Sequence, residues 1–347
     1  MQPAANEEQV SAMSDQAKQM SVPIPAASVD RMLAMAARAP SIFNTQPWQF
    51  RVTRYKIELY PDPSRRLRSD PSGREMLISC GAALYGLRLA VRTLGYRPVV
   101  KLLPDLDQPR LLAHVKLGEP APLTPAERRL IDALPRRHTH RGPFEPAPLP
   151  RGLLIGLQHD AVAEHAALAL IDRPGAYSLL STIVAQATRV ASADERSRAD
   201  VRQWVRLPGN AARDGVPAAA VAEPGRGPHP GRLAQRDLDL GRGIGLLPAA
   251  GPAPAATAVL ITSADTPLDW LRAGQAMHRL LAHAASQWVF ASLHSQPLES
   301  PGSRATIRSR LGLPGAPQVI LQLGVARTAQ STARRPPGEL IRSGSRV

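Results

Sequence analysis

The chain has 347 residues, with 43 Lys and Arg against 28 Asp and Glu and a single cysteine. That length predicts roughly two domains, the lone Cys80 excludes an intrachain disulfide framework and fits a reducing cytoplasm, and no apolar run is long enough to cross a membrane. A net charge of +15 raises nucleic-acid binding, but the cations are nearly all arginine, scattered over both halves, and aromatics make up only 4%, poor material for stacking bases.

Residues 1–22 lack the basic and apolar regions of a secretory signal and read as a disordered or loosely attached leader. Residues 23–40, PIPAASVDRMLAMAARAP, put Val29, Met32, Leu33 and Ala36 on one helical face, punctuated by Pro25 and Pro40. WQFRV and KIELY read as a pair of strands. Residues 73–95 give the strongest helix, apolar nearly all round and therefore buried. Cys80 lies in it as an inert core residue, while Asp70, Arg74 and Glu75 at its start read as ion pairs or helix caps. RPVVKLLP and RLLAHVKL follow as strands, then TPAERRLIDALP as a short helix opened by a Thr–x–x–Glu capping box.

The pattern then restarts. Residues 148–165 resemble the first helix, AALALID is a strand, and residues 177–206 are helical. TAVLIT is a strand, residues 271–289 mirror the buried helix, and QVILQLGVA is the last strand. In this internal repeat Gly81 aligns with Gly274 and Leu87 with Leu280. The boundaries are a first repeat at 23–135 and a second at 136–342. The second carries an insertion at about 191–256, rich in Gly, Pro and Arg, and a loop-rich insertion of that length is a lid or is disordered.

Two stretches carry chemistry. APSIFNTQPWQF, residues 39–50, crowds amides and a hydroxyl around a tryptophan in a proline-broken turn. That set suits a flat, polar, aromatic ligand. RRHTHRGPF, residues 136–144, alternates Arg137, Thr139 and Arg141, and Arg334-Arg335 follow the last strand. Guanidinium groups bind phosphate in bidentate fashion and a hydroxyl adds a further bond. Taken alone, such a cluster in so arginine-rich a chain reads as a solvated basic loop. Other signals are set aside. GRGIG, residues 241–245, is not a nucleotide fingerprint, and His159 with His165, or His138 with His140, do not make a metal site. DGVP at 214–217 reads first as a turn.

APSIFNTQPWQF resembles the A-P-S-x-x-N-x-Q-P-W signature of the flavin-dependent nitroreductase family, and RHTHR resembles its phosphate motif. The run DPSRRLRSDPSGREMLISCGAAL, with RRHTHRGPF, DGVP, SQPLE, GAPQVILQLGVA and ARRPP, resembles the Acg branch of that family, in order over about residues 23–342. The resemblance implies an α+β fold in which two fused, unequal subunits form a pseudo-dimer. The asparagine turn occurs only in the first half and the phosphate motif only in the second, so one complete FMN site is expected at their interface. Arg137, Thr139 and Arg141, with Arg334 or Arg335, would hold the FMN phosphate. Ser41 and Asn44, with Gln46 less certainly, would meet the ring edge, and Pro40 would shape the turn. Trp48 would pack beneath the loop. His138 is either a flavin contact or a plain loop histidine. Trp288, standing where the first half has Gly95, would crowd the flavin. The implied activity is hydride transfer from NAD(P)H through FMN to a nitroaromatic or quinone, by a cytoplasmic monomer with small-molecule partners and no catalytic side chain. A closed lid over the flavin would instead make a non-catalytic, FMN-sequestering protein. A basic nucleic-acid-binding protein is the poor third reading.

Overall fold

The computed structural model describes residues 22–221, 231–247, 251–326 and 332–344. Nearly all of the expected leader falls outside these residues. Helix α1 (Val29–Ala36) buries Val29, Met32, Leu33 and Ala36, the face its spacing predicts. Strands β1 (Trp48–Val52) and β2 (Ile57–Pro61) form an antiparallel hairpin running from Trp48 opposite Pro61 to Val52 opposite Ile57. Trp48 is fully buried, as a packing residue should be. Helix α2 (Arg74–Thr93) is buried along most of its length. Asp70 caps its first turn, its carboxylate accepting from the Met76 amide at 3.0 Å. Strands β3 (Tyr96–Leu102) and β4 (Ala113–Pro120) complete a sheet of order β1-β2-β4-β3. Helix α3 (Pro125–Ala133) opens on the expected capping box between Thr124 and Glu127.

The second half opens with α4 (Leu153–Ala163) and β5 (Ala167–Leu170). A long excursion follows, through α5 (Pro174–Ala193), α6 (Glu195–Trp204) and the short parallel pair β6 (Val205–Arg206) and β7 (Val216–Pro217). The chain returns as β8 (Ala256–Thr262), α7 (Pro267–Ser286), β9 (Val289–His294), α8 (Pro301–Leu311) and β10 (Ala316–Val325). The second sheet has order β5-β8-β10-β9 and is antiparallel throughout. Both sheets therefore follow one connectivity: outer strand, its neighbour, buried helix, far outer strand, then return to the middle. The excursion occupies residues 171–255, between two paired strands, so it begins before the expected 191.

Local differences from the sequence reading have local causes. The stretch expected to be helical over 177–206 is so, as two helices, because Asp194 leaves the helical region at ψ 125° and turns its carboxylate to accept from the Ser197 amide. Helix α7 starts earlier than residue 271, on a capping box of Thr266 and Asp269. It ends before 289 because Trp288 adopts φ 58°. Gly95, just beyond the matching helix, has φ 81°. A left-handed residue there is usually glycine, so the tryptophan hides the stop, and β9 goes unread. Trp288 itself is 52% exposed, with the Arg136 guanidinium 5.5 Å above its ring, and it does not border the cleft described below.

The two buried helices, α2 and α7, cross backbone to backbone. A methyl group added at Gly274 would lie 2.0 Å from the Ile78 carbonyl oxygen, and one at Gly81 would lie 2.2 Å from that of Leu271. Only glycine permits this approach. Gly274→Ala should therefore cost about 2 kcal/mol or more, the scale of core overpacking, read as a lower urea midpoint. Gly175→Ala, on an open helix surface, serves as a control and should cost nothing.

Candidate functional site

The turn between α1 and β1 is tightly wound. Phe43, Asn44 and Gln46 take left-handed φ values of 49°, 55° and 50°. Non-glycine residues seldom sit there, and such positions gather at functional sites. Ser41, Asn44 and Gln46 hold the turn through their side chains. Ser41 Oγ accepts from the Gln46 amide at 3.0 Å. Asn44 Nδ2 donates to the carbonyls of Gly215 and Ala333 at 3.0 and 3.1 Å. Gln46 Nε2 donates to the Arg213 carbonyl at 2.8 Å, and its Oε1 accepts from the Arg335 amide at 2.9 Å. Asn44 Oδ1 is buried without a partner, as are Thr45 Oγ1 and Trp48 Nε1.

Residues 137–141 run beside β9, with Thr139 bridged to Ala291 and the His140 amide donating to the Ala291 carbonyl at 2.8 Å. Alternate side chains of an extended segment share a face, so Arg137, Thr139 and Arg141 point one way and the two histidines the other. His138 packs on Phe290 with ring centroids 4.3 Å apart, and His140 on Phe144 at 4.6 Å.

The two segments wall one cleft. Pro40, Ser41, Ile42 and Phe43 border it from the first half, and Thr139, Arg141 and the end of β9 from the second. Ile78 and Ser79 of α2 and Met277 of α7 reach it from the helix crossing, and Val216 and Leu238 of the excursion border it too. It encloses about 950 Å³, counting the solvent at its mouth. Val216 and the 42–43 turn belong to one small apolar core with Trp204, Val221 and Ile244, so the excursion is packed onto the cleft's edge.

Positive charge gathers beside this cleft without a counter-ion. Arg137 is buried. Its Nη2 donates to the Arg38 carbonyl at 3.0 Å, while Nε and Nη1 have no partner. Arg334 donates to the Ala37 carbonyl at 2.8 Å. Arg141 borders the cleft and makes no hydrogen bond or ion pair with the described residues. Burial, with the Arg38 charge added, pushes Arg137 down to about 10. Burial, then Arg137 and Arg38, pushes Arg334 down to about 9, and burial alone takes Arg141 to about 10. All three stay cationic at neutral pH, and among the described residues no carboxylate offsets them. A cluster of this kind can hold an anion, and the fork of donors suits phosphate.

Most of the residues picked from the sequence meet here: Pro40, Ser41, Thr139 and Arg141 on the cleft, Arg137 and Arg334 just beyond. Arg335 faces away, donating to the Gln46 carbonyl at 3.3 Å and pairing with Glu339 at 3.4 Å. Asn44 and Gln46 hold the turn, and His138 lies on the far face of its segment. Four further residues were not picked out for this site. Arg38 adds a fourth guanidinium to the nook. Glu75, Arg236 and Gln296 border the cleft. Arg236 sits in a segment with no periodic pattern, and Glu75 reads from sequence only as an ion pair. GRGIG is spoken for internally, since Asp239 accepts from the amides of Gly243, Ile244 and Gly245 at 2.9, 2.7 and 3.2 Å.

No family model matches the chain. It is 34% identical over 309 residues to "Putative NAD(P)H nitroreductase Rv3131" of Mycobacterium tuberculosis, covering 87% of this chain and 86% of that one. The chain belongs to the nitroreductase family. A 25% match over 313 residues to "Putative NAD(P)H nitroreductase acg" of the same organism, spanning 88% of this chain and 93% of the relative, sets it with the Acg branch. Among solved structures, a nitroreductase with bound FMN from Desulfitobacterium hafniense is similar at a TM-score of 0.39 and 12% identity, over 61% of this chain and 95% of its own. A nitroreductase with bound FMN from Bacteroides fragilis is similar at 0.36 and 11%, over 63% and 97%. Likenesses this loose bear on no individual residue.

Histidines lend this nitroreductase no positive charge near the cleft. Burial pushes His138 and His294 down to about 4 and His278 to about 3. Folded values below the usual one mean that unfolding takes up protons as pH falls. Their contribution is whole above about pH 6.5 and is lost on the way to about pH 4. His138→Gln should flatten the fall in stability by about one proton, roughly 1.4 kcal/mol per pH unit, in urea titrations between about pH 6.5 and 4.

Proposed function

We propose that this chain is an FMN-binding oxidoreductase that passes electrons from NAD(P)H to a small aromatic acceptor, at one site formed between two fused and unequal copies. The observation that carries the reading is the uncompensated arginine nook beside a cleft walled by the asparagine turn of one half and the arginine segment of the other. The residues fit the cofactor. Arg137, whose Nε and Nη1 lack partners, would hold the phosphate with Thr139, Arg141 and Arg334. Arg334, whose guanidinium donates only to neutral groups at Ala37, Ala39, Thr332 and Ala333, is favoured over Arg335, whose charge is paired with Glu339. Pro40 and Ser41 would border the ring, and the orphaned Asn44 Oδ1 suits a ring N–H donor. Gln46, with both amide atoms engaged, keeps the turn in shape. Bound flavin supplies the two-electron redox chemistry, while the protein supplies orientation and electrostatics.

The cleft also supports the second reading. Val216 and Leu238 of the excursion border it, and the excursion is tied to the turn at Arg213 and Gly215. A cover that stays in place would leave a protein that binds FMN and withholds it from substrates. In either case a single chain furnishes the whole site, which favours a monomer without a nucleic-acid partner. No helix among the described residues is long and apolar enough to cross a membrane, and the buried, unpaired Cys80 suits the cytoplasm.

The purified protein should carry about one FMN per chain. Anaerobic NADH or NADPH should bleach its absorbance, and a band that yields only to dithionite would favour the sequestering reading. Arg141→Glu sets a carboxylate against the phosphate and should cut flavin content to below about a tenth of wild type. A variant that purifies with full flavin would count against the phosphate assignment.

A further inference from the structure

Glu75 is the acidic group on the cleft wall. It is the second residue of α2 and 6% exposed. Its partner Arg74 is not its own, since Arg74 Nη2 also donates to the Gln318 carbonyl at 2.7 Å and to Gln318 Oε1 at 2.6 Å. Acids and arginines share its surroundings. Asp70 lies before the helix, and Glu299 pairs with Arg236 from the excursion. Asp200 of α6, which takes the amides of Arg68 and Ser69 at 2.9 Å, faces Glu299. Arg304 faces Arg74 and is occupied with Asp265 at 3.1 Å. On the cleft side stand Arg141 and the neutral His294. Nearest to Glu75, Asp70 and Glu299 offset Arg74 and Arg236, and its burial in the cleft wall then favours the protonated acid. Burial first, then Asp70 and Glu299, raise Glu75 to about 7 against the pull of Arg74 and Arg236. Asp70 and Glu299 are raised as well, each chiefly by burial, but only Glu75 of the cluster's acids reaches the cleft.

We propose that the Glu75 carboxyl is the proton donor to the acceptor's oxygen as the acceptor is reduced in this cleft. The proposal rests on the oxidoreductase reading above. Reduction of a quinone to its hydroquinone takes two electrons and two protons. Flavin held by Arg137, Thr139, Arg141 and Arg334 would supply a hydride, both electrons and one proton, at the expense of the dihydronicotinamide. The second proton leaves the Glu75 carboxyl for the quinone oxygen, an O–H bond forms, and water reprotonates the carboxylate. The nicotinamide is oxidised and the quinone reduced.

The test mixes dithionite-reduced protein with p-benzoquinone in stopped flow, from about pH 5 to 9, for wild type, Glu75→Gln and Glu75→Asp. Wild-type reoxidation should slow as pH rises through about 7. Glu75→Gln, with unchanged flavin content, should be about 100-fold slower at low pH, the range of general-acid effects, and nearly independent of pH. Glu75→Asp should keep a pH-dependent limb. A second readout needs no turnover: flavin-free wild type should lose stability relative to Glu75→Gln as pH rises from about 4.5 to 7, because a raised folded value means the native state holds the extra proton. Equal quinone rates for wild type and Glu75→Gln at every pH overturn the proposal alone. Bound flavin that quinone cannot reoxidise also overturns it, in favour of sequestration. A wild-type protein that binds no flavin overturns the oxidoreductase reading and takes this proposal with it.

Discussion

At Gly81 and Gly274 two long helices touch through their backbones, with no room for a single methyl group on either side. That contact fixes α2 against α7, and both helices are buried along most of their length, so neither can shift without disturbing the main core. Ile78 and Ser79 stand just before one glycine and Met277 just after the other. All three emerge in the same cleft. Bringing the backbones together at one point thereby sets the spacing between a turn that follows α1 and an arginine segment beside β9, although these lie about a hundred residues apart in the chain.

What that geometry delivers is electrostatic. Arg137, Arg334 and Arg141 are all depressed by burial, and among the described residues none has an acid beside it. Elsewhere the protein pairs buried and half-buried guanidiniums with carboxylates: Arg279 with Asp160 and Glu164, Arg92 with Glu127, Arg236 with Glu299. The contrast separates the nook from the general arginine richness of the chain. Unpaired buried charge is costly to fold, and its retention at one place, facing one cleft, is what an anion-binding function requires. Glu75, with Arg74 and Arg236 among its neighbours, borders the same cleft.

Much of this was legible in the sequence. Helical spacing marked α1, and the all-round apolar run marked α2. The glycines that aligned in the internal repeat are the two at the helix crossing. The sequence also placed an asparagine turn in one half and an alternating Arg–Thr–Arg in the other, the two segments that wall the cleft. What escaped did so for identifiable reasons. Trp288 ends α7 in a left-handed conformation that ordinarily announces itself as glycine. Asp194 breaks a helix that composition alone would continue. Arg236 and Gln296 reach the cleft from segments whose folding depends on contacts distant in sequence, such as the seat of Arg236 4.8 Å above the Phe43 ring. The direction in which Asn44 and Gln46 extend their amides was equally out of reach, because both answer to backbone carbonyls far along the chain.

Those two amides are clasps. Each grips main chain rather than side chain, at Arg213, Gly215 and Ala333, so side-chain replacement in the gripped strand leaves the fastening untouched, while gaining or losing a residue there would put it out of step.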